Sequence, residues 1–163
     1  MRIQSFPPIM NDESTILILG SMPGVVSLSQ HQYYAHPRNH FWRILYDLYQ
    51  TPLEMDYDRR IAFALSRGIG LWDVLGECIR EGSLDSNIQE AVPNDFISLF
   101  QAYPRITHLM FNGAKAYEEF TRRVAPQLDL EGKKLHKLPS TSPAHTMAYV
   151  RKLEAWKNEI VWI

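Results

Sequence analysis

Several polar side chains of this sequence stand where apolar runs end, and their types suit chemistry on a flat, hydrogen-bonding ligand. In "QYYAHPRNHFW", Asn39 offers an amide oxygen able to orient a water, and Tyr33 and Tyr34 offer rings on which a base can stack. Asp73, at the tip of "IGLWDVL", offers an acceptor for a ring N–H. Asn112 in "FNG" is a polar group beside a turn. "LPSTSPAH" carries Ser140, Thr141, Ser142 and His145 between two prolines, a stiff loop suited to gripping phosphates without net charge. "GSMPG" brings Ser21 and Met22 between Gly20 and Gly24, which allow close backbone approach, while Pro23 fixes the turn. A phosphate cradle is one reading of it, but the P-loop lysine and the dinucleotide spacing are missing.

Each of these residues also has a plain structural use. Asn39 is a favoured N-cap at the start of a helix. Asp73 suits a helix or turn cap, and Asn112 suits a turn before Gly113. Ser142 or Thr146 suits a helix entry. One of the two tyrosines is expected to be a partly buried ring with its hydroxyl bonded. His31 and His36 lie on a loop rather than at i, i+4 on a helix, so no metal site is expected. "GxSxG" is absent, and no order of Ser, His and acid reads as a hydrolase triad.

The elements that hold these groups follow from periodicity. Four runs read as strands: "TILILG" at 15–20, "IGLWDVL" at 69–75, "ITHLMFNG" at 106–113 and "KLHKLPS" at 134–140. The fourth is more polar and suits a sheet edge. Helical patterns lie between and after them. Phe41, Leu45 and Leu48 share one face, and "DRRIAFALSRG" ends on Gly68 as a C′ glycine. "NDFISLFQAY" opens on Asn94 or Asp95 and stops at Pro104. Further stripes run through Ala116, Tyr117, Phe120 and Val124, and through Tyr149, Leu153, Trp156 and Ile160. Strands alternating with helices predict a parallel sheet covered on both faces. In such sheets ligands bind beyond the carboxyl ends of the strands. The unusual residues sit at those ends: 20–24, 71–75, 112–113 and 139–145.

A chain of 163 residues suits a single domain, here spanning 1–163. Lys plus Arg is 17 and Asp plus Glu is 18, a formal net charge of −1. That argues against a bulk polyanion binder but leaves room for a small phosphate footprint. Two basic clusters exist: Arg38, His40 and Arg43, and Lys133, Lys134, His136 and Lys137. For either alone a solvated surface is the better reading. The single cysteine, Cys78, excludes an internal disulfide and a cysteine-rich cluster. No secretory pattern and no apolar run of bilayer length is present, so a soluble cytoplasmic protein is expected.

Taken in order, "GSMPGVVSL", "QYYAHPRNHFW", "GIGLWDVL", "GSLDSNI", "FNGAKAYEEF" and "LPSTSPAH" resemble the uracil-DNA glycosylase superfamily, most closely its family 6 hypoxanthine-DNA (deoxyinosine) glycosylases. The resemblance covers nearly the whole chain. It implies an α/β fold, a three-layer α/β/α sandwich with a four-stranded parallel sheet. It implies a monofunctional enzyme of base excision repair that acts as a monomer on double-stranded DNA containing a deaminated base, without cofactor or metal, in the cytoplasm on the nucleoid. By resemblance Asn39, in "HPRNHFW", is the catalytic, water-holding residue. Tyr34 falls where mismatch-specific relatives stack a ring on the flipped base, and Met22 replaces their catalytic asparagine. Asp73 matches the base-reading position, with Asn112 beside it. Ser21, Pro23, Gly24, Arg38, Ser140, Ser142 and His145 fall among the DNA-gripping groups. Ser140 replaces the catalytic histidine of uracil-specific relatives. His145 and Met147 are candidates for the wedge that fills the vacated stack. A uracil glycosylase, a lesion-binding module without catalysis, and a flavodoxin-type nucleotide-binding module are the alternatives.

Overall fold

The computed structural model describes residues 1–160. In chain order the elements are β1 (Arg2–Gln4), β2 (Ile16–Gly20), α1 (Val25–Gln30), α2 (Phe41–Leu48), α3 (Tyr57–Ser66), β3 (Ile69–Asp73), β4 (Leu75–Ile79) and β5 (Gln89–Pro93). They continue with α4 (Phe96–Ala102), β6 (His108–Asn112), α5 (Ala114–Glu119), β7 (Lys134–Leu138) and α6 (Tyr149–Ile160).

Four strands form a parallel sheet in the order β3-β2-β6-β7. β2 and β3 are buried along their whole length, which is why they read as unbroken apolar runs. The more polar β7 lies at an edge. Side chains alternate across the sheet. Ile16, Ile18, Leu71 and Met110 pack against Phe41, Ile44 and Leu45 of α2, Ala64 of α3 and Trp156 of α6. Leu17, Leu19, Leu109 and Phe111 pack against Phe96 and Leu99 of α4, Ala116 of α5 and Phe120. The sheet is therefore the middle layer of an α/β/α sandwich.

Capping explains two helix starts. Asp56 accepts the Arg59 N–H ahead of α3. Asp95, rather than Asn94, accepts the Ser98 N–H ahead of α4. Gly68 stands with φ of 73°, past the end of α3 as expected.

Three features depart from the sequence reading. Residues 69–75 are not one strand: β3 ends at Asp73, and β4 starts at Leu75 in a separate antiparallel sheet ordered β1-β4-β5. The stretch after "GSMPG" contains helix α1 rather than loop alone. The helix at 114–125 gives way after Glu119 to a π-helical turn over Phe120–Val124. Among the described residues, no helix is long and apolar enough to cross a membrane.

Candidate active site

A cavity of about 440 Å³ opens at the carboxyl ends of the parallel strands, within the usual size of small-ligand sites. Met22, Tyr34, Asn39, Asp73 and Asn112 all line it. So do Ser21, Pro23, Gly24, Ser140, Ser142 and His145. Arg38 does not: it is exposed on the neighbouring turn, where its N–H donates to His36 Nδ1 at 3.0 Å. The lysines of the second basic cluster lie elsewhere. Lys134 pairs with His108 at the amino end of the sheet, and Lys133 Nζ donates to Ile106 O at 2.7 Å.

The two tyrosines divide as anticipated. Tyr33 is 4% exposed, its hydroxyl donates to Pro7 O at 2.9 Å, and its carbonyl accepts Trp42 Nε1–H. It is a core group. Tyr34 takes a left-handed backbone, with φ of 57°. Its ring stacks on Phe41 with centroids 4.1 Å apart. Its hydroxyl is buried without a partner, and burial beside Asp73 pushes its pKa up. Asn112 stands close enough to counter part of that rise without reaching hydrogen-bond geometry.

Asn39 is not the N-cap of α2, which is His40; it stands one residue earlier and reaches the helix start with its side chain. Its Oδ1 accepts the Phe41 N–H at 2.9 Å, at the first residue of α2. That bond fixes the rotamer and leaves the second lone pair of the amide oxygen for another donor. Met22, 7% exposed, lines the cavity and packs into the core behind it.

Asp73 ends β3 opposite Gly20 of β2. A side chain at Gly20 would place its Cβ 2.6 Å from Asp73 Oδ1, so glycine there makes room for the carboxyl. Asp73 is 4% exposed, and its Oδ2 is buried with no partner. Burial, with the nearby Asp85 carboxylate, pushes its pKa up to about 7, against the partial relief of Arg80.

Asn112 fastens the last loop to the sheet. Its Oδ1 accepts the Thr141 N–H and its Nδ2 donates to Thr141 Oγ1, both at 2.9 Å. Other bonds hold the same loop. The Thr141 carbonyl accepts the His40 N–H, and the fully buried Lys152 donates to Ser142 O at 3.1 Å. Trp156 Nε1 donates to Pro139 O at 3.0 Å. Ser140 Oγ and Ser142 Oγ accept N–H groups inside the loop, which leaves their hydroxyl hydrogens for an outside acceptor.

One wall comes from a segment whose residues the sequence reading did not single out. Ser21 Oγ donates to Asp85 Oδ1 at 2.6 Å, and Val25 N donates to Ser83 Oγ at 2.8 Å. Arg80, 4% exposed, donates to Pro23 O and Gly82 O. These bonds strap residues 80–86 over "GSMPG". The signal available was the motif "GSLDSNI", with Arg80 after an apolar strand two residues before Gly82. Lys115 also lines the cavity, its ammonium held 2.9 Å from the buried Glu119. Among the described residues, no three His, Cys, Asp or Glu side chains are grouped to hold a metal.

A central parallel sheet between helical layers, with an aromatic, an amide and a buried acid converging beyond its strand ends, defines an α/β/α protein with a ligand-sized pocket at that end. The family model of the uracil DNA glycosylase superfamily matches residues 7–162, and the chain belongs to that superfamily. It is similar to a protein of Methanosarcina barkeri named hypoxanthine DNA glycosylase, 36% identical over 157 residues and covering 96% of each chain. A Methanosarcina acetivorans protein of the same name is 34% identical, covering 94% of this chain and 95% of that one. A solution NMR structure from Methanosarcina acetivorans, of a protein described as a candidate uracil DNA glycosylase, superposes with a TM-score of 0.83 at 32% identity. That match covers 98% of this chain and 96% of the other.

Proposed function

We propose that this chain is a monofunctional DNA glycosylase that hydrolyses the N-glycosidic bond of deoxyinosine in double-stranded DNA and releases hypoxanthine for base excision repair. The observation that carries the reading is that Tyr34, Asn39 and Asp73 line one cavity. They do so in a chain 36% and 34% identical, over nearly its whole length, to proteins named for that activity. The reading takes residues 1–163 as one domain acting as a monomer, without cofactor or metal, in the cytoplasm on nucleoid DNA.

A glycosylase must extrude its target base from the stack. The hydroxyl hydrogens of Ser140 and Ser142, with Arg38 at the rim, meet the distorted backbone; His145 and the 21–24 turn adjoin them. Tyr34, held from behind by Phe41, packs on the base. Met22 supplies apolar floor. Asp73 reads the base edge, since an oxygen of either protonation state accepts a ring N–H. The C1′–N bond breaks with oxocarbenium-like charge on the sugar, as in glycoside cleavage generally. Asn39, its Oδ1 fixed by the Phe41 N–H, holds the water that captures C1′.

Hypoxanthine presents a ring N–H beside a carbonyl, where adenine presents an acceptor and an amine. Adenine would leave an acceptor of Asp73 facing a lone pair, an unmade bond. Guanine shares the N–H but pairs well, whereas hypoxanthine opposite thymine pairs poorly and costs less to extrude. Uracil shares the N–H and carbonyl, and one similar solved structure is described as a candidate uracil enzyme, so slower uracil release accompanies the main activity.

The test is a panel of duplexes carrying inosine, uracil, adenine or guanine at one position. Free hypoxanthine and alkali-labile sites at inosine are expected, with less at uracil. Tight binding of the inosine duplex without labile sites would replace this reading with a lesion-binding module.

A further inference from the structure

The glycosidic bond breaks with its electron pair going to the base, so negative charge develops on the departing purine. The pocket around Asp73 bears directly on where that charge settles. Asp73 lines the cavity, is almost wholly buried, and has one carboxyl oxygen without a partner. An ionised carboxylate there would face a departing anion at close range, and like charges in a dry site repel. A protonated carboxyl reverses the sign of the interaction, because its O–H points a donor at the developing charge.

Resting on the glycosylase reading, we infer that Asp73 works as a neutral acid whose O–H donates a hydrogen bond to the departing base while its carbonyl oxygen accepts the ring N–H. A lactam edge offers this pair of contacts side by side: the N–H donates, and the adjacent carbonyl oxygen accepts. No proton has to leave Asp73. The bonding pair of the C1′–N bond leaves with the base, water forms the new C1′–O bond and gives up one proton that ends on the departing base through solvent, and the Asp73 O–H lowers the energy of the charge in transit.

The surroundings favour the neutral form. Gly20 beneath the carboxyl carries no side chain to donate to it. Tyr33 and Tyr34 stay neutral phenols beside it, raised from their ordinary pKa first of all by burial, so they add no charge of their own. Asp85, across the strap, adds negative charge that resists ionisation of Asp73. Arg80 pulls the other way, but its Nε and Nη2 donate to Gly82 O and Pro23 O, its Nη1 is buried without a partner, and the cavity-lining Lys115 is paired with Glu119. Asp85 acts through Asp73 and is a positioning residue here.

The experiment is single-turnover release of hypoxanthine from an inosine duplex between pH 5.5 and 9, for the wild type, Asp73→Asn, Asp73→Ala and Asp85→Asn, each checked for folding by thermal melting. Wild-type release should fall about tenfold per pH unit above about 7. Asp73→Asn keeps a donor and an acceptor but cannot ionise, so the rate it retains should exceed that of Asp73→Ala and show no falling limb. Asp73→Ala should be about a hundredfold slower throughout. Asp85→Asn should move the limb to lower pH. A wild-type rate that is flat from pH 6 to 9 overturns the inference alone. So does a limb that survives in Asp73→Asn, or a folded Asp73→Asn no faster than Asp73→Ala. Absence of release from inosine and uracil duplexes at every pH overturns the glycosylase reading as well.

Discussion

At the scale of residues, Asn39 joins two duties in one amide. Its oxygen accepts the Phe41 N–H and, in the proposed reaction, also holds water. Substitution separates them. Asn39→Asp keeps an acceptor for the Phe41 N–H, so its unfolding free energy should stay within about 0.5 kcal/mol of the wild type, whereas Asn39→Ala should lose about 1 kcal/mol in urea titrations. Asp73 gives a second prediction. Its folded pKa lies above its unfolded value, so between about pH 4 and 7 the folded state binds the extra proton. Stability is then fully present below the unfolded pKa and falls as pH rises through that window. Melting at pH 5 and pH 8 should show the wild type losing more stability than Asp73→Asn, and equal losses would contradict the burial argument.

At the scale of elements, the strands were the legible part. β2, β3 and β6 are buried in a parallel sheet, and such strands need apolar residues on both faces. Their carboxyl ends marked the site before any contact was known. The small sheet was not legible. β5 reads "QEAVP", polar and half-exposed, and β4 follows β3 after Val74 alone, with no turn signal between. The π-helical turn was hidden because its apolar stripe continues the helical spacing. Ser83 and Asp85, inside "GSLDSNI", were given no role for a different reason: their bonds to Val25 and Ser21 are tertiary, across 58 and 64 positions of sequence. Two element-level tests follow. Gly20→Ala would press a methyl on Asp73 Oδ1, so the acid must shift and base release should drop while the sheet still forms. Thr141→Val leaves Asn112 Nδ2 without its partner in a buried site, which costs about 1–2 kcal/mol and loosens the last loop. Affinity of Thr141→Val for inosine duplexes separates the outcomes: weaker binding supports the clamp, and unchanged binding removes it from DNA recognition.

For the molecule as a whole, a net charge of −1 sets an expectation about DNA affinity. Few phosphates can be neutralised, so the slope of log affinity against log salt should be shallow, with magnitude under about 4. Arg38→Ala should reduce that slope by about one without changing base preference. A steep slope would mean a larger cationic surface than the cavity rim supplies. Two sandwich faces of ordinary apolar packing hold the sheet rigid, and the chemistry is carried by loops fastened to its ends. The Asn112–Thr141, Lys152–Ser142 and Trp156–Pro139 bonds are the fastenings that tie the last loop to β6 and α6.

The central claim is that this pocket cleaves the glycosidic bond of deoxyinosine with Asn39 holding the water. Its most direct test is single-turnover release of hypoxanthine from an inosine duplex by the wild type beside Asn39→Ala, with both proteins shown folded by circular dichroism. The account predicts release by the wild type and a rate at least about a hundredfold lower for the variant. Release by a folded Asn39→Ala at the wild-type rate would contradict it.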